Sequence, residues 1–426
     1  MAATIPSSII GDFKERYNPK GIQNAIPESR VILKNVPFEK GTLVGNAFHT
    51  PVILSDEAGF TYAANNAGNY ALNGPISLSV PDAQVTPAQI TLVSQISYDA
   101  LSQSLGSGAA FLSATKLITK RMIDSMSKRV ELAALYGGSG LATTATSGST
   151  EVTATTKYTV AITQQSWSDG IWAGTVNSQI QFYNSTTLIS SGADSIFTIA
   201  AVDPTNRTIT VTGTATGGAA LKAVIITSPV ALTVYFNGAY GNEMTGINKI
   251  LTNTGTLFNI NAATYDLWKS NTIDNGGGKL TFLALQNAVA VAVGRGLDSE
   301  VDVLVNPKVW ANLVTSQSGA RRFDTTYKKT LMENGAEKLT FYSQNGAMNI
   351  TPSLYVKEGD CFILPFEHIT RIGSMDIEFM PQVMGSDEFF QYVPGYNAYE
   401  LRLWTNQQIF IELPARCVKI YNISLS

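Results

Sequence analysis

The chain has 426 residues, 44% of them hydrophobic, enough for packed cores spread over two or three domains. Its formal net charge is −3 and only 14% of its residues are charged, against about 25% in an average soluble protein; this argues against a nucleic-acid binder that works by neutralising phosphates. The start, MAATIPSSIIGDF, lacks a basic segment, no run of about 18 apolar residues occurs, and Cys361 and Cys417 both sit in apolar strand-like runs, so secretion, membrane spanning and a disulfide framework are not expected.

Residues 1–39 hold Pro6, Pro19, Pro27 and Pro37 with little periodicity, which predicts an extended arm packed on something else. Next come two strand-like stretches, LVGNAFHTPVIL and ISLSVPDAQVTPAQITLVSQIS, on either side of the Gly- and Asn-rich DEAGFTYAANNAGNYALNG. They predict a long two-stranded loop with a turn-rich tip, and an isolated hairpin of this kind needs a neighbour to lie against. No Lys or Arg occurs between Lys40 and Lys116, whereas Asp56, Glu57, Asp82 and Asp99 fall in that gap, so the loop is acidic.

From Ala109 to Tyr136 no Gly or Pro interrupts the chain, which predicts a helix roughly 42 Å long. Phe111, Ile118, Met122, Met126, Val130, Ala133 and Tyr136 share one apolar arc, and Lys116, Lys120, Asp124 and Lys128 form an opposite column. Ser107 is placed to cap the start, and Gly137-Gly138 to end the helix.

Residues 141–240 then change character, with 21 threonines and only 7 charged residues. Runs such as Thr208-Ile209-Thr210-Val211-Thr212 favour strands, and Trp167, Trp172, Phe182, Tyr183, Phe197 and Tyr235 speak for a packed unit over a disordered linker. This predicts an inserted β-barrel or sandwich with an autonomous fold, entered near Gly140 and left near Gly241. The chain resumes with GNEMTGINKILTNTG, a helix over TFLALQNAVAVAV, a strand ending at Val305, and a second helix started by Asn306 and Pro307. The C-terminal third is strand-rich.

The helix end VELAALYGGSG, the Gly-rich return after the insert, the helix–strand–Asn-Pro–helix pattern carrying Trp310 and Leu313, and the closing strands SLYVKEGDCFILPFEHITRIGSMDIEFMPQV and YELRLWTNQQIFIELPARCVKIYNI resemble the major capsid proteins of tailed bacteriophages. The resemblance covers nearly the whole chain except the insert and rests on the order and character of elements. It implies an α+β Hong Kong 97-like capsid fold with a long spine helix, an extended β-hairpin loop and, here, an inserted all-β domain. The implied division is an arm over 1–39, the extended loop over 40–97, the spine helix of a peripheral domain over 98–140, the insert over 141–240, and an axial domain with returning peripheral strands over 241–426. The implied function is structural: self-assembly into pentamers and hexamers of an icosahedral head that encloses double-stranded DNA. Scaffolding, portal and decoration proteins would be separate partners, and assembly would take place in the host cytoplasm without a membrane. Some members cross-link through an isopeptide from a lysine in the extended loop; this loop has no lysine, so the activity is not carried over and association is expected to be non-covalent.

No catalytic, cofactor or metal residue is assigned. His49 and His368 are far apart in sequence, and Gly294-Arg295-Gly296 follows a helix and lacks the third glycine of a dinucleotide fingerprint. The candidate functional residues are contacts between copies: Asp56 and Glu57 near the loop tip against Lys116, Lys120, Arg121, Lys128 and Arg129 on the helix. The competing view is that Asp124 and Glu131 already satisfy those charges locally. Two alternative functions stand beside the capsid reading: a cytoplasmic enzyme or carbohydrate-binding protein using the Thr-rich β-module, and an encapsulin-type nanocompartment shell.

Overall fold

The computed structural model of the chain describes residues 30–41, 46–97, 108–317, 339–344, 346–381 and 389–425. Most of the expected N-terminal arm lies outside them, as do Ser107 and the side chains of residues 108–117, Lys116 and Phe111 among them.

A five-residue helix, α1 (Val31–Asn35), leads into β1 (Phe38–Lys40). In the extended loop, β2 (Phe48–Pro51) pairs antiparallel with β3 (Asp82–Val85), and an isolated bridge joins Ser55 to Ser79. The second strand-like stretch is not one strand of the loop. At Thr86-Pro87 the ladder ends, because proline lacks the N–H and bends its predecessor away, and β4 (Ala88–Ser97) leaves the loop for another sheet.

The long helix α2 runs over Gly108–Tyr136, 29 residues. Met122, Met126, Val130, Ala133 and Tyr136 are buried along the expected arc. Leu132, Ala134 and Leu135 are buried too, so the last two turns are enclosed on every side. The helix stops where Gly138 takes φ +71° and where the returning chain crosses closely: Gly246 N–H donates to Gly137 O at 2.9 Å. A Cβ on Gly137 would sit 2.0 Å from the Met244 carbonyl oxygen, which is why the return needs glycine there.

The next strands are β5 (Ala142–Thr143), β6 (Thr150–Thr153), β7 (Lys157–Ala161), β8 (Gln179–Asn184), β9 (Thr187–Leu188), β10 (Phe197–Asp203), β11 (Thr208–Thr212) and β12 (Thr233–Phe236). They form one sheet in the order β5-β12-β8-β10-β11-β7-β6, with β9 beside β8. Its path returns on itself: Thr144 bridges Ile162, and the Ala145 and Thr163 N–H groups donate to Ala161 O and Thr143 O at 2.8 and 3.0 Å. The threonine pattern follows from strand alternation, for on β11 Ile209 and Val211 are buried while Thr208, Thr210 and Thr212 are not.

The interior of this barrel is not closed off from the rest of the molecule. Phe182, Phe197, Trp167 and Trp172 belong to one continuous apolar core with Met126, Tyr136, Phe362 and Leu403. The Trp167–Trp172 segment sits on the 354–359 loop, where Glu358 N–H donates to Trp167 O at 2.8 Å and Ser168 Oγ donates to Leu354 O at 2.5 Å. The buried Glu358 carboxylate is shared by Arg207 of the barrel (3.2 Å) and Lys308 (2.7 Å). The core of this unit is thus continuous with that of its host.

After a small hairpin of β13 (Thr256–Leu257) and β14 (Ile260–Asn261) come β15 (Asn271–Asp274), α3 (Phe282–Val293), β16 (Val301–Val305) and α4 (Pro307–Gln317). Asn306 caps α4 as its sequence predicts, its Oδ1 accepting the Lys308 N–H at 3.0 Å. The remaining strands are β17 (Leu339–Ser343), β18 (Gly346–Pro352), β19 (Cys361–Leu364), β20 (Ile369–Phe379), β21 (Gln391–Tyr392), β22 (Ala398–Ile411) and β23 (Val418–Tyr421). One sheet runs β15-β23-β19-β16-β18-β17 over a separate apolar core with α3 and α4. A second runs β1-β20-β22-β21 with β4 on β22, and α2 packs against it.

Candidate assembly surfaces

The extended loop is anchored at its root and bare at its far end. Phe48, Val52, Leu54, Ala83 and Val85 pack with Trp268 and Phe410 in a small core, and Ser79 and Tyr265 hydroxyls meet at 3.0 Å. Beyond Ser55 the two limbs are joined sparsely, by Ala58 N–H to Ile76 O at 3.2 Å and Asn73 bonds to Phe60 O and Thr61 Oγ1 at 2.7 and 2.8 Å. There Tyr62 is 92% exposed, Leu72 77% and Phe60 69%, with Ile76 and Tyr70 also exposed. Asp56 and Glu57 are exposed on the same limb, just before the bare aromatic stretch.

The helix charges fall into two groups. Lys120 is exposed, Arg121 is half-buried, and the Lys116 side chain lies outside the described residues. Lys128 and Arg129, by contrast, are engaged inside the chain. Lys128 Nζ donates to Ala173 O at 2.5 Å, and the Arg129 guanidinium lies 3.1 Å above the Phe236 ring. Burial pulls the Lys128 ammonium down to about 8, with Arg129 adding to the effect, and pulls Arg129 down to about 10 against the support of Glu243. Periodicity separates an apolar arc from a charged column but does not show that the barrel folds back over the C-terminal end of that column.

Sequence reasoning weighed Glu131 only as a local partner of the helix cations, in the competing view, and missed its role. Its carboxylate is fully buried and accepts the N–H groups of Ile32 at 2.7 Å and Leu33 at 2.9 Å, the free donors at the start of α1. Burial pushes its carboxyl up to about 7, against the pull of these N–H groups and of Arg371. Arg30 pairs with Asp124 at 2.5 Å, Arg371 Nε donates to Val36 O at 3.1 Å, and β1 adds in parallel to β20. Residues 30–40 are thus clamped onto the helix and the sheet beneath it. The available signal was that Glu131 is the one charge in VELAALY, a run otherwise suited only to a core.

Among the described residues no group of three His, Cys, Asp or Glu is placed to hold a metal ion, and no helix is long and apolar enough to cross a membrane. Cys361 and Cys417 are buried free thiols, and burial pushes both up, Cys417 to about 12.

No protein-family model and no curated protein matches the chain. Among solved structures it is similar to the capsid asymmetric unit of cyanophage A-1(L), with a TM-score of 0.58 at 10% identity over 96% of this chain and 97% of that one. Others are the capsid of a native GTA particle (TM-score 0.48, 8% identity, 96% and 95% covered) and the holo-SrpI encapsulin complex of Synechococcus elongatus PCC 7942 (0.40, 7%, 95% and 93%). With a long helix laid on a sheet, a loop that projects from a small packed root, and a second core of helices on a six-stranded sheet, the chain has the α+β Hong Kong 97-like capsid fold.

Proposed function

We propose that the chain is a structural shell subunit, the major capsid protein of a tailed bacteriophage, and that its activity is self-association and not catalysis. The observation that carries this reading is the extended loop. A rooted arm ending in exposed Phe60, Tyr62 and Leu72 has the apolar surface of an interface and too little structure of its own to stand alone in water. A second copy of the chain, repeated by symmetry, covers such an arm at every position of a closed shell.

In this reading residues 1–39 are the arm, 40–97 the loop reaching a neighbour together with β4, by which it returns to its own subunit, 98–140 the spine of the peripheral domain, 141–240 an inserted barrel, and 241–426 the axial domain that meets its copies around pentamer and hexamer axes. Asp56 and Glu57 dock on Lys116, Lys120 and Arg121 of the next copy, and the shell encloses double-stranded DNA without reading its sequence. Scaffolding and portal proteins act with it in the host cytoplasm, and a decoration protein covers the finished head. The test is electron microscopy of the protein purified alone and with its neighbouring head proteins. Shells, capsomers or curved sheets are the expected result; a monodisperse monomer in every condition refutes the proposal.

A further inference from the structure

The engaged cations of α2 raise a question of charge balance. Arg121, Lys128 and Arg129 line one wall of a cleft of about 150 Å³ between the helix and the barrel. That is about ten times the roughly 10–15 Å³ that admits one water. Their positions, i, i+7 and i+8, bring three positive groups to one face of the helix. None of the three forms an ion pair among the described residues. The single carboxylate lining the cleft, Asp124, has one oxygen taken by Arg30, and its other oxygen is buried without a hydrogen-bond partner.

The donors are as underused as the charge. The Arg129 guanidinium lies over the Phe236 ring and makes no hydrogen bond with a described residue, although it carries five N–H groups. Lys128 spends one of its three donors on Ala173 O. Ser125 and Ser178 line the same cleft. Burying two neighbouring cations is costly, and Glu243 offsets that cost only in part at Arg129. A bound anion removes it.

We propose that this cleft is a binding site for a small oxyanion of the phosphate or carboxylate class, held by Arg121, Lys128 and Arg129 with Ser125 and Ser178 as further donors. The guanidinium forks match paired anionic oxygens, and the ammonium supplies a point charge beside them. The ion comes either from solution, as free phosphate, or from a carboxylate of a second copy. The site bolts the barrel to the helix where the two meet.

The test uses the full-length chain kept as dissociated subunits, so it is independent of whether shells form. Inorganic phosphate is titrated against chloride at constant ionic strength and the thermal midpoint is followed. A saturable rise is expected for the wild type, with apparent affinity about tenfold weaker in Arg121→Gln and in Lys128→Gln. Arg121 is half-buried and lies over no aromatic ring among the described residues, so its variant keeps the test open if substitutions at Arg129 unfold the protein. No phosphate response in the wild type, or an equal response in both variants, overturns the proposal. The source is read from assembled particles. A phosphate response that is absent in wild-type particles and restored by Asp56→Asn with Glu57→Gln assigns the native ligand to the second copy; one that persists in wild-type particles assigns it to free anion.

Discussion

Replacing Glu131 with alanine tests the clamp on residues 30–40. The substitution strands the buried Ile32 N–H and the part-buried Leu33 N–H, now held at 2.7 and 2.9 Å. Each orphaned buried donor costs about 1–3 kcal/mol, and the lost methylenes add about 1 kcal/mol more. Against this stands relief from burying a carboxylate, so the net loss is about 2–4 kcal/mol. A five-residue helix has no stability of its own to absorb the change, so the damage is local first. Hydrogen exchange on dissociated subunits is the assay: peptides covering residues 30–40 lose protection while those from the six-stranded sheet keep theirs. Urea unfolding shows a lower midpoint, and Glu131→Gln, which keeps one acceptor oxygen, falls between. Unchanged exchange over residues 31–36 together with an unchanged midpoint would refute the reasoning.

Asp56→Lys with Glu57→Lys leaves the subunit folded but lowers shell yield, and Lys116→Glu with Lys120→Glu in the same chain partly restores it; wild-type yield and salt dependence in the first double variant would reduce the loop's acidity to a solvated surface. For Lys128→Met the sign follows from a folded pKa of about 8 against 10.5 unfolded: between those values the folded wild type binds fewer protons, so its stability relative to the variant rises with pH, by up to about 1–3 kcal/mol after screening, and a flat difference from pH 8 to 10.5 counts against the burial argument. Cys361 and Cys417 remain unreactive towards a thiol reagent in the native chain and both titrate after denaturation; fast native labelling would contradict their burial. Residues 141–240 expressed alone contain only Trp167 and Trp172, whose emission shifts to the red because the 354–359 loop and α2 are missing; buried-type emission with a cooperative transition would show that the barrel stands by itself after all.

What the sequence made legible was what local rules control. The limits of α2 are set by glycines on one side of an uninterrupted run, the start of α4 by Asn306 and Pro307, and the strands of the barrel by alternation of Thr with Ile and Val. The root of the extended loop was harder. The stretch from Ile76 to Ser97 is uniformly strand-like, and the only sign that it serves two sheets is Pro87, whose effect depends on β22 being there to receive Ala88–Ser97. Glu131 was harder still. A glutamate on a helix looks solvated by default, and its partners are backbone groups about a hundred residues away, which no pattern of side-chain types encodes.

In the proposed assembly the barrel limits which charges of the long helix a neighbour meets. Lys128 and Arg129 lie where α2 is covered by Ala173 and Phe236, so a second copy reaches them only through the cleft they line. Lys120, about two turns earlier, is exposed, and Arg121 beside it is half-buried at the mouth of the same cleft. Under the proposed docking, exposed pairs of this kind contribute about 0–1 kcal/mol each, so they would set register while the apolar loop surface would supply the affinity. It follows that charge reversal at Lys120 acts on how copies align, whereas reversal at Arg129 acts on how one copy holds its own barrel, and the two effects separate by whether the dissociated subunit keeps its thermal midpoint.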